Sequence, residues 1–211
     1  MAWLIVITGR PAAGKSMLAT WLGKQLRFPF ISKDGIKEIL FDELGWSDRE
    51  WSQKLGQASI NLLYYFAHTL LMAGGSIILE NTFRPDLASS KLSTLARQTN
   101  ASALQIICNA NNDVLYQRFK QRTESGLRHP GHVDVQSMPE LRASLERYGP
   151  LRLGIGGEVI EVDTTDISIL SYESILVQVK AIMYSAQPGN LHCTSEGMGN
   201  SSDLLRNGEN H

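Results

Sequence analysis

The chain has little cysteine, no long apolar run and almost no net charge. Its two cysteines, Cys108 in an apolar stretch and Cys193 near the C-terminus, have neither metal-ligand nor redox spacing. That speaks against a cysteine-built site and fits a reducing compartment. No apolar run reaches the ~18 residues that a membrane-spanning helix needs. The N-terminus shows neither the basic start nor the cleavage site of a signal peptide, so the expectation is a cytoplasmic protein. Twenty Lys and Arg oppose 21 Asp and Glu, a net charge of −1, which argues against a broad nucleic-acid-binding surface. What is present is a globular composition, 43% apolar and 19% charged over 211 residues. That is enough for one domain with a full core, with or without an appendage.

The most informative segment is Gly9-Arg10-Pro11-Ala12-Ala13-Gly14-Lys15-Ser16, which fits G-x-x-x-x-G-K-[ST]. Its context is strand, loop, helix. Trp3 to Ile7 is a continuous apolar run, as in a strand buried on both faces. Leu18, Leu22 and Leu26 then recur at helical spacing. Gly9 and Gly14 can take positive φ and let backbone approach a phosphate, and Ala12 and Ala13 keep the loop tight. Loop N–H groups and the helix N-terminus, including Met17, make an anion nest. Lys15 is placed to reach β- and γ-phosphates, and Ser16 to offer a hydroxyl to Mg²⁺. The first 27 residues hold Arg10, Lys15, Lys24 and Arg27 and no carboxylate, a bias that suits a polyphosphate.

Strand-like and helix-like segments alternate along the rest. Strands are expected at Pro29 to Ser32, Ser76 to Leu79, Leu104 to Cys108 and Val159 to Val162. Helices are expected after caps at Asp34 and Asn112, and after capping boxes Ser47/Glu50 and Ser137/Glu140. Further helices run from Asp86 to Gln98 and through Ile175 to Met183. This alternation predicts an α/β P-loop NTPase fold, a five-stranded parallel sheet with helices on both faces. Ligands then bind at the C-terminal strand ends. That rule singles out Ser32 to Asp34, Glu80 to Arg84 and Asp163 to Thr165. The Gly-, Ser- and Asn-rich stretch 186–211 reads as a disordered tail, leaving 1–185 as the domain.

These motifs resemble those of the P-loop small-molecule and polynucleotide kinases, with chloramphenicol phosphotransferase-like, gluconate-kinase-like, zeta-toxin-like and polynucleotide 5′-kinase-like members. The resemblance covers about residues 2–185. It rests on the P-loop, Ile31-Ser32-Lys33-Asp34, Ile77 to Phe83 and the basic segment Arg118 to His132. It implies transfer of the γ-phosphate of ATP, with Mg²⁺, to an acceptor. By the same resemblance Asp34 is a general base or hydroxyl-orienting group; read from the residues, it is also a helix cap. Glu80 stands where a carboxylate binds Mg²⁺ through water or contacts substrate. Arg122 and Arg128 belong to a small lid of about 122–136 that closes over the phosphates, with Arg118 as an anchor. Arg84 is placed to neutralise an anionic acceptor. Asp163 to Thr165 border the adenine.

The function expected from all this is an ATP-dependent kinase acting on a hydroxyl of a small molecule. The alternatives are an ATPase switch without kinase activity and a toxin-like kinase of sugar-nucleotides. A switch needs a water-orienting residue, and none is identifiable. A nucleic-acid 5′ end is a poorer acceptor, because no second basic track is present to hold a strand. Trp46, Trp51, Tyr64 and Tyr65 are candidates to line an acceptor pocket.

Overall fold

The structure is a computed structural model, and it describes residues 1–147, 149 and 151–186. Five strands, β1 (Trp3–Gly9), β2 (Phe30–Ser32), β3 (Ile77–Glu80), β4 (Ser102–Asn109) and β5 (Glu158–Asp163), form one sheet in the order β2-β3-β1-β4-β5. Every pairing is parallel. The helices are α1 (Lys15–Leu26), α2 (Lys33–Leu44), α3 (Arg49–Met72), α4 (Pro85–Gln98), α5 (Asn112–Glu124), α6 (Asp134–Arg147) and α7 (Tyr172–Ser185). A short 3-10 turn, Pro130–His132, precedes α6.

The pleat of β1 explains why helices cover both faces. Successive side chains of a strand point to opposite sides. Ile5 and Ile7 enter one core, with Leu18 and Leu22 of α1, Leu115 and Phe119 of α5, Leu141 of α6 and Val179 of α7. Leu4 and Val6 enter the other, with Leu63 and Leu71 of α3 and Leu92 and Leu95 of α4. Each fully buried Leu or Ile adds about 1.5–3 kcal/mol, so the continuous apolar run of β1 serves two cores at once. Gln105 fastens the irregular segment after α6 to β4, donating to the Leu151 carbonyl at 3.1 Å and accepting from the Leu153 N–H at 3.2 Å.

The predicted fold holds, and the caps differ. Ser32, rather than Asp34, caps α2, its hydroxyl accepting from Gly35 N–H at 2.9 Å. Asp48, rather than Ser47, caps α3 by accepting from Trp51 N–H at 2.9 Å. Asn111 occupies the N-cap position of α5 without a side-chain bond, and Asn112 accepts from Arg10 instead. The Ser137/Glu140 box does not open a helix. The helix α6 has already begun at Asp134, Ser137 bonds back to the Val133 carbonyl, and Glu140 pairs with Arg49. In each case an equally good cap lay a few residues away, and tertiary partners decided the choice. Of the predicted tail 186–211, residues 187–211 lie outside the described ones, and Ala186 is the C-cap of α7. No helix among the described residues is long and apolar enough to cross a membrane.

Candidate active site

The loop between β1 and α1 is held by backbone geometry. Gly9 has φ 145°, and a Cβ there would lie 2.1 Å from the Cys108 carbonyl oxygen. Its lack of a side chain therefore lets β1 pack on β4. Gly14, at φ 75°, is the left-handed N-cap of α1. Ala12 also lies in the left-handed region, at φ 63°, a conformation that costs a non-glycine residue about 1–2 kcal/mol and tends to be kept at ligand sites. Lys15 Nζ donates to the Arg10 carbonyl at 2.9 Å. Burial lowers its pKa, with the Glu80 charge pulling the other way. The Arg10 guanidinium is itself buried, bonding Asn112 Oδ1 at 2.6 Å, Asn109 Oδ1 at 2.7 Å and the Ala110 carbonyl at 3.1 Å. Its charge thus braces the loop against β4 and α5. Thr164, just after β5, donates to the Ala13 carbonyl at 3.2 Å and supports the loop from below. Met17 is exposed on the first turn of α1.

Two carboxylates stand at the ends of neighbouring strands. Glu80 closes β3, is buried, and accepts from Ser16 Oγ at 3.1 Å. Burial raises its pKa, and the Lys15 charge works against the rise. Asp34 lies in the first turn of α2. With Ser32 as the cap, its carboxylate is left to Lys33 Nζ at 3.3 Å and to Arg128 Nη2. Burial would raise the Asp34 pKa, but the charges of Lys33 and Arg128 outweigh it and hold the group well below the usual carboxylate range.

Arg122 and Arg128 meet at the same place. Arg128 bonds both oxygens of Asp134, at 2.7 and 2.8 Å, as well as Asp34. Arg122 stacks on the Phe119 ring, 4.8 Å from its centroid, with Asp134 at 3.9 Å. Its Nε–H is buried without a hydrogen-bond partner. Arg118 is elsewhere, donating to the Thr165 carbonyl at 3.0 Å and tying α5 to the loop after β5. The segment from Arg128 to His132 is latched onto α2. His129 accepts from Gly131 N–H through Nδ1, so its Nε2–H faces Asp42, at 3.1 Å. Its ring stacks on Phe41. His132 bonds Glu38 at 2.8 Å.

These groups line one cleft of 570 Å³ at the C-terminal edge of the sheet. Lys15, Ser16 and Glu80 lie in it, as do Asp34, Arg122 and Arg128. Arg84 also lines it and pairs with Asp86 at 2.6 Å. The far wall was not foreseen from the sequence. It consists of Lys33 and Lys37 of α2 and of Arg49, Ser52, Gln53, Gly56 and Gln57 on one face of α3. The spacing 49, 52, 53, 56, 57 is the i, i+3, i+4, i+7, i+8 pattern of a helical stripe, readable once a polar stripe rather than an apolar one is sought. Trp46, Trp51, Tyr64 and Tyr65 are not among the lining residues. The Trp51 indole N–H instead donates to the Gly45 carbonyl at 2.9 Å, and Trp46 packs edge-on against His129.

Among the described residues, no group of three or more His, Cys, Asp or Glu could hold a metal ion.

The sequence of residues 4–148 matches the family described as AAA domain. A candidate kinase from Chloroflexus aurantiacus, known from its crystal structure, is 40% identical, with 85% of this chain and 97% of that one covered at a TM-score of 0.80. A sugar kinase from a Janibacter species is 15% identical over 88% of this chain and 96% of that one, at a TM-score of 0.52, a likeness of fold alone. No curated protein matches. The matched segment runs from β1 through α6 and contains the P-loop, both carboxylates and both arginines, and the chain belongs to this AAA-domain family as a P-loop kinase-like protein.

Proposed function

We propose that the protein is a kinase that transfers the γ-phosphate of Mg²⁺-bound ATP to a hydroxyl of a small molecule. The observation that carries this reading is the meeting of Asp34 and Arg128 in the cleft that also contains Lys15 and Glu80. A carboxylate able to orient a hydroxyl thus shares a cavity with the phosphate loop and two arginines.

The residues fit the nucleotide. The left-handed Ala12 and Gly14 present loop N–H groups at the start of α1, a nest for phosphate oxygens. Lys15 and the orphan Nε–H of Arg122 supply donors in a buried setting, where they act most strongly on developing charge. Ser16 and Glu80 offer hard oxygen donors side by side. Mg²⁺ prefers such oxygens, takes few ligands from the protein and keeps several waters. When bound, it would supply positive charge that neutralises the phosphates.

In the proposed transfer, the acceptor hydroxyl oxygen forms a bond to the γ-phosphorus. The bond from that phosphorus to the β–γ bridging oxygen breaks, and ADP leaves with the electron pair. The hydroxyl proton passes to Asp34 and then to water. A carboxylate held so acidic is a weak base. It orients the hydroxyl first and takes the proton late, which suits a loose phosphoryl transition state. The segment of about 122–136 is the proposed lid, bringing Arg122 and Arg128 to the transferring group. A screen of hydroxyl compounds for ATP-dependent phosphorylation tests the reading: at least one acceptor must become phosphorylated, and ATP turnover indifferent to every acceptor would contradict it.

A further inference from the structure

The far wall of the cleft contains a buried cation with no anionic partner. Lys37 is 4% exposed. Of its three N–H donors, one goes to Ser52 Oγ at 2.7 Å, and the ammonium also lies 5.0 Å from the centroid of the Phe41 ring. Both neighbours are neutral. Among the described residues no carboxylate forms an ion pair with Lys37, whereas Lys33 has Asp34 and Arg49 has Glu140. Buried ammonium groups are ordinarily paired or displaced towards the neutral form. The nearby Lys33, Arg128 and Arg49 add to the local positive field, with Asp34 opposing them.

A second observation concerns space. Gly56 interrupts α3 with a residue that weakens a helix relative to alanine. A Cβ at this position would touch Lys33 Nζ and Lys37 Cε, each at 3.7 Å. The bare backbone therefore leaves about a methyl group's room beside both lysines, on the cleft that Gly56 lines.

We propose that the acceptor carries an anionic group, a carboxylate or a phosphate, which sits against Lys37 in the space beside Gly56 while the acceptor hydroxyl faces Asp34. This rests on the kinase reading for the second half of the statement only; the anion seat can be tested without turnover. Ser52 then holds the Lys37 ammonium in place, and Lys33 balances both Asp34 and the incoming anion.

The test is calorimetric titration of protein already saturated with Mg²⁺ and a non-hydrolysable ATP analogue, so that the phosphate loop is filled. The probes are inorganic phosphate and acetate. The wild type is expected to bind one of them, phosphate if the acceptor bears a phosphate and acetate if it bears a carboxylate. Lys37→Met should weaken that binding at least tenfold. Gly56→Leu should do the same while leaving the melting temperature unchanged or higher, which separates a filled seat from a damaged fold. Equal binding by the wild type and Lys37→Met, or no binding of either anion by the wild type, would overturn the proposal. A parallel ADP-release assay over hydroxy acids, sugar phosphates and neutral polyols separates the two readings. Lys37-dependent anion binding without phosphorylation of any compound removes the kinase reading and leaves the seat. Phosphorylation of neutral polyols with equal kcat/KM in the wild type and Lys37→Met removes the seat and leaves the kinase.

Discussion

Arg128 and Asp34, 94 positions apart in sequence, form an ion pair across the cleft. Arg128 also bonds both oxygens of Asp134 at the start of α6. One guanidinium therefore joins the start of α2 to the start of α6. Arg128→Met should reduce phosphoryl transfer by about 10²–10³-fold, the range for losing one donor to developing charge. ATP affinity should stay within about threefold, because the phosphate loop and Lys15 are untouched. Steady-state kinetics with a separate ATP titration checks both parts.

Lys15 is buried with one backbone carbonyl as its partner. Lys15→Ala should weaken ATP binding by at least about tenfold by removing a charge-assisted contact of 1.5–3 kcal/mol. Calorimetric titration with ATP measures this directly, and unchanged affinity would remove the phosphate loop from the account.

The pH dependence follows from Lys37. Burial, aided by the charges of Lys33, Arg128 and Arg49 and opposed by Asp34, brings its pKa down from 10.5 to about 8. The ammonium is charged below that value and neutral above it. For an anionic acceptor, kcat/KM should therefore hold level up to about pH 8 and decline above it. The fold responds in the opposite sense. A cation whose pKa is depressed by folding destabilises the folded state while charged, so stability should gain between about pH 8 and 10.5. Lys37→Arg keeps its charge throughout and should flatten the alkaline limb of the rate profile.

The separation of cap from site at the start of α2 gives a paired prediction. Ser32 carries the cap bond to Gly35. Ser32→Ala should cost about 1 kcal/mol of stability and lower Tm by about 2–4 °C, with turnover changing far less than it does in Asp34→Asn. Asp34→Asn should lower Tm as well, because it removes the ionised partner of Lys33 and Arg128, so turnover carries the distinction. Thermal melts of the two variants, set beside their turnover, distinguish the roles.

The local parts of this protein were readable from its sequence. The apolar run of β1, the eight-residue loop and the amphipathic α1 are contiguous, so pattern and spacing located them. Glu80 and Asp34 were found because parallel sheets place ligands at strand ends. The grip of Arg128 on Asp34 and the latch of His129 and His132 onto Asp42 and Glu38 were not readable, since those partners lie 87 to 94 positions apart. The far wall of the cleft was missed for a different reason. Aromatics were the expected lining, whereas α3 turns a polar stripe with Gly56 at its centre towards the cleft. Lys37 carries no motif at all. Its meaning comes from being buried beside Ser52 without a counter-charge.

The most direct test of the kinase account is acceptor phosphorylation by Asp34→Asn, measured beside ATP binding by the same preparation. The substitution keeps the shape of the side chain and removes the charge that, in the proposed transfer, orients the hydroxyl and receives its proton. The account predicts that ATP binds within about threefold of wild type while transfer falls by about 10²–10⁴-fold. Transfer at the wild-type rate would contradict it.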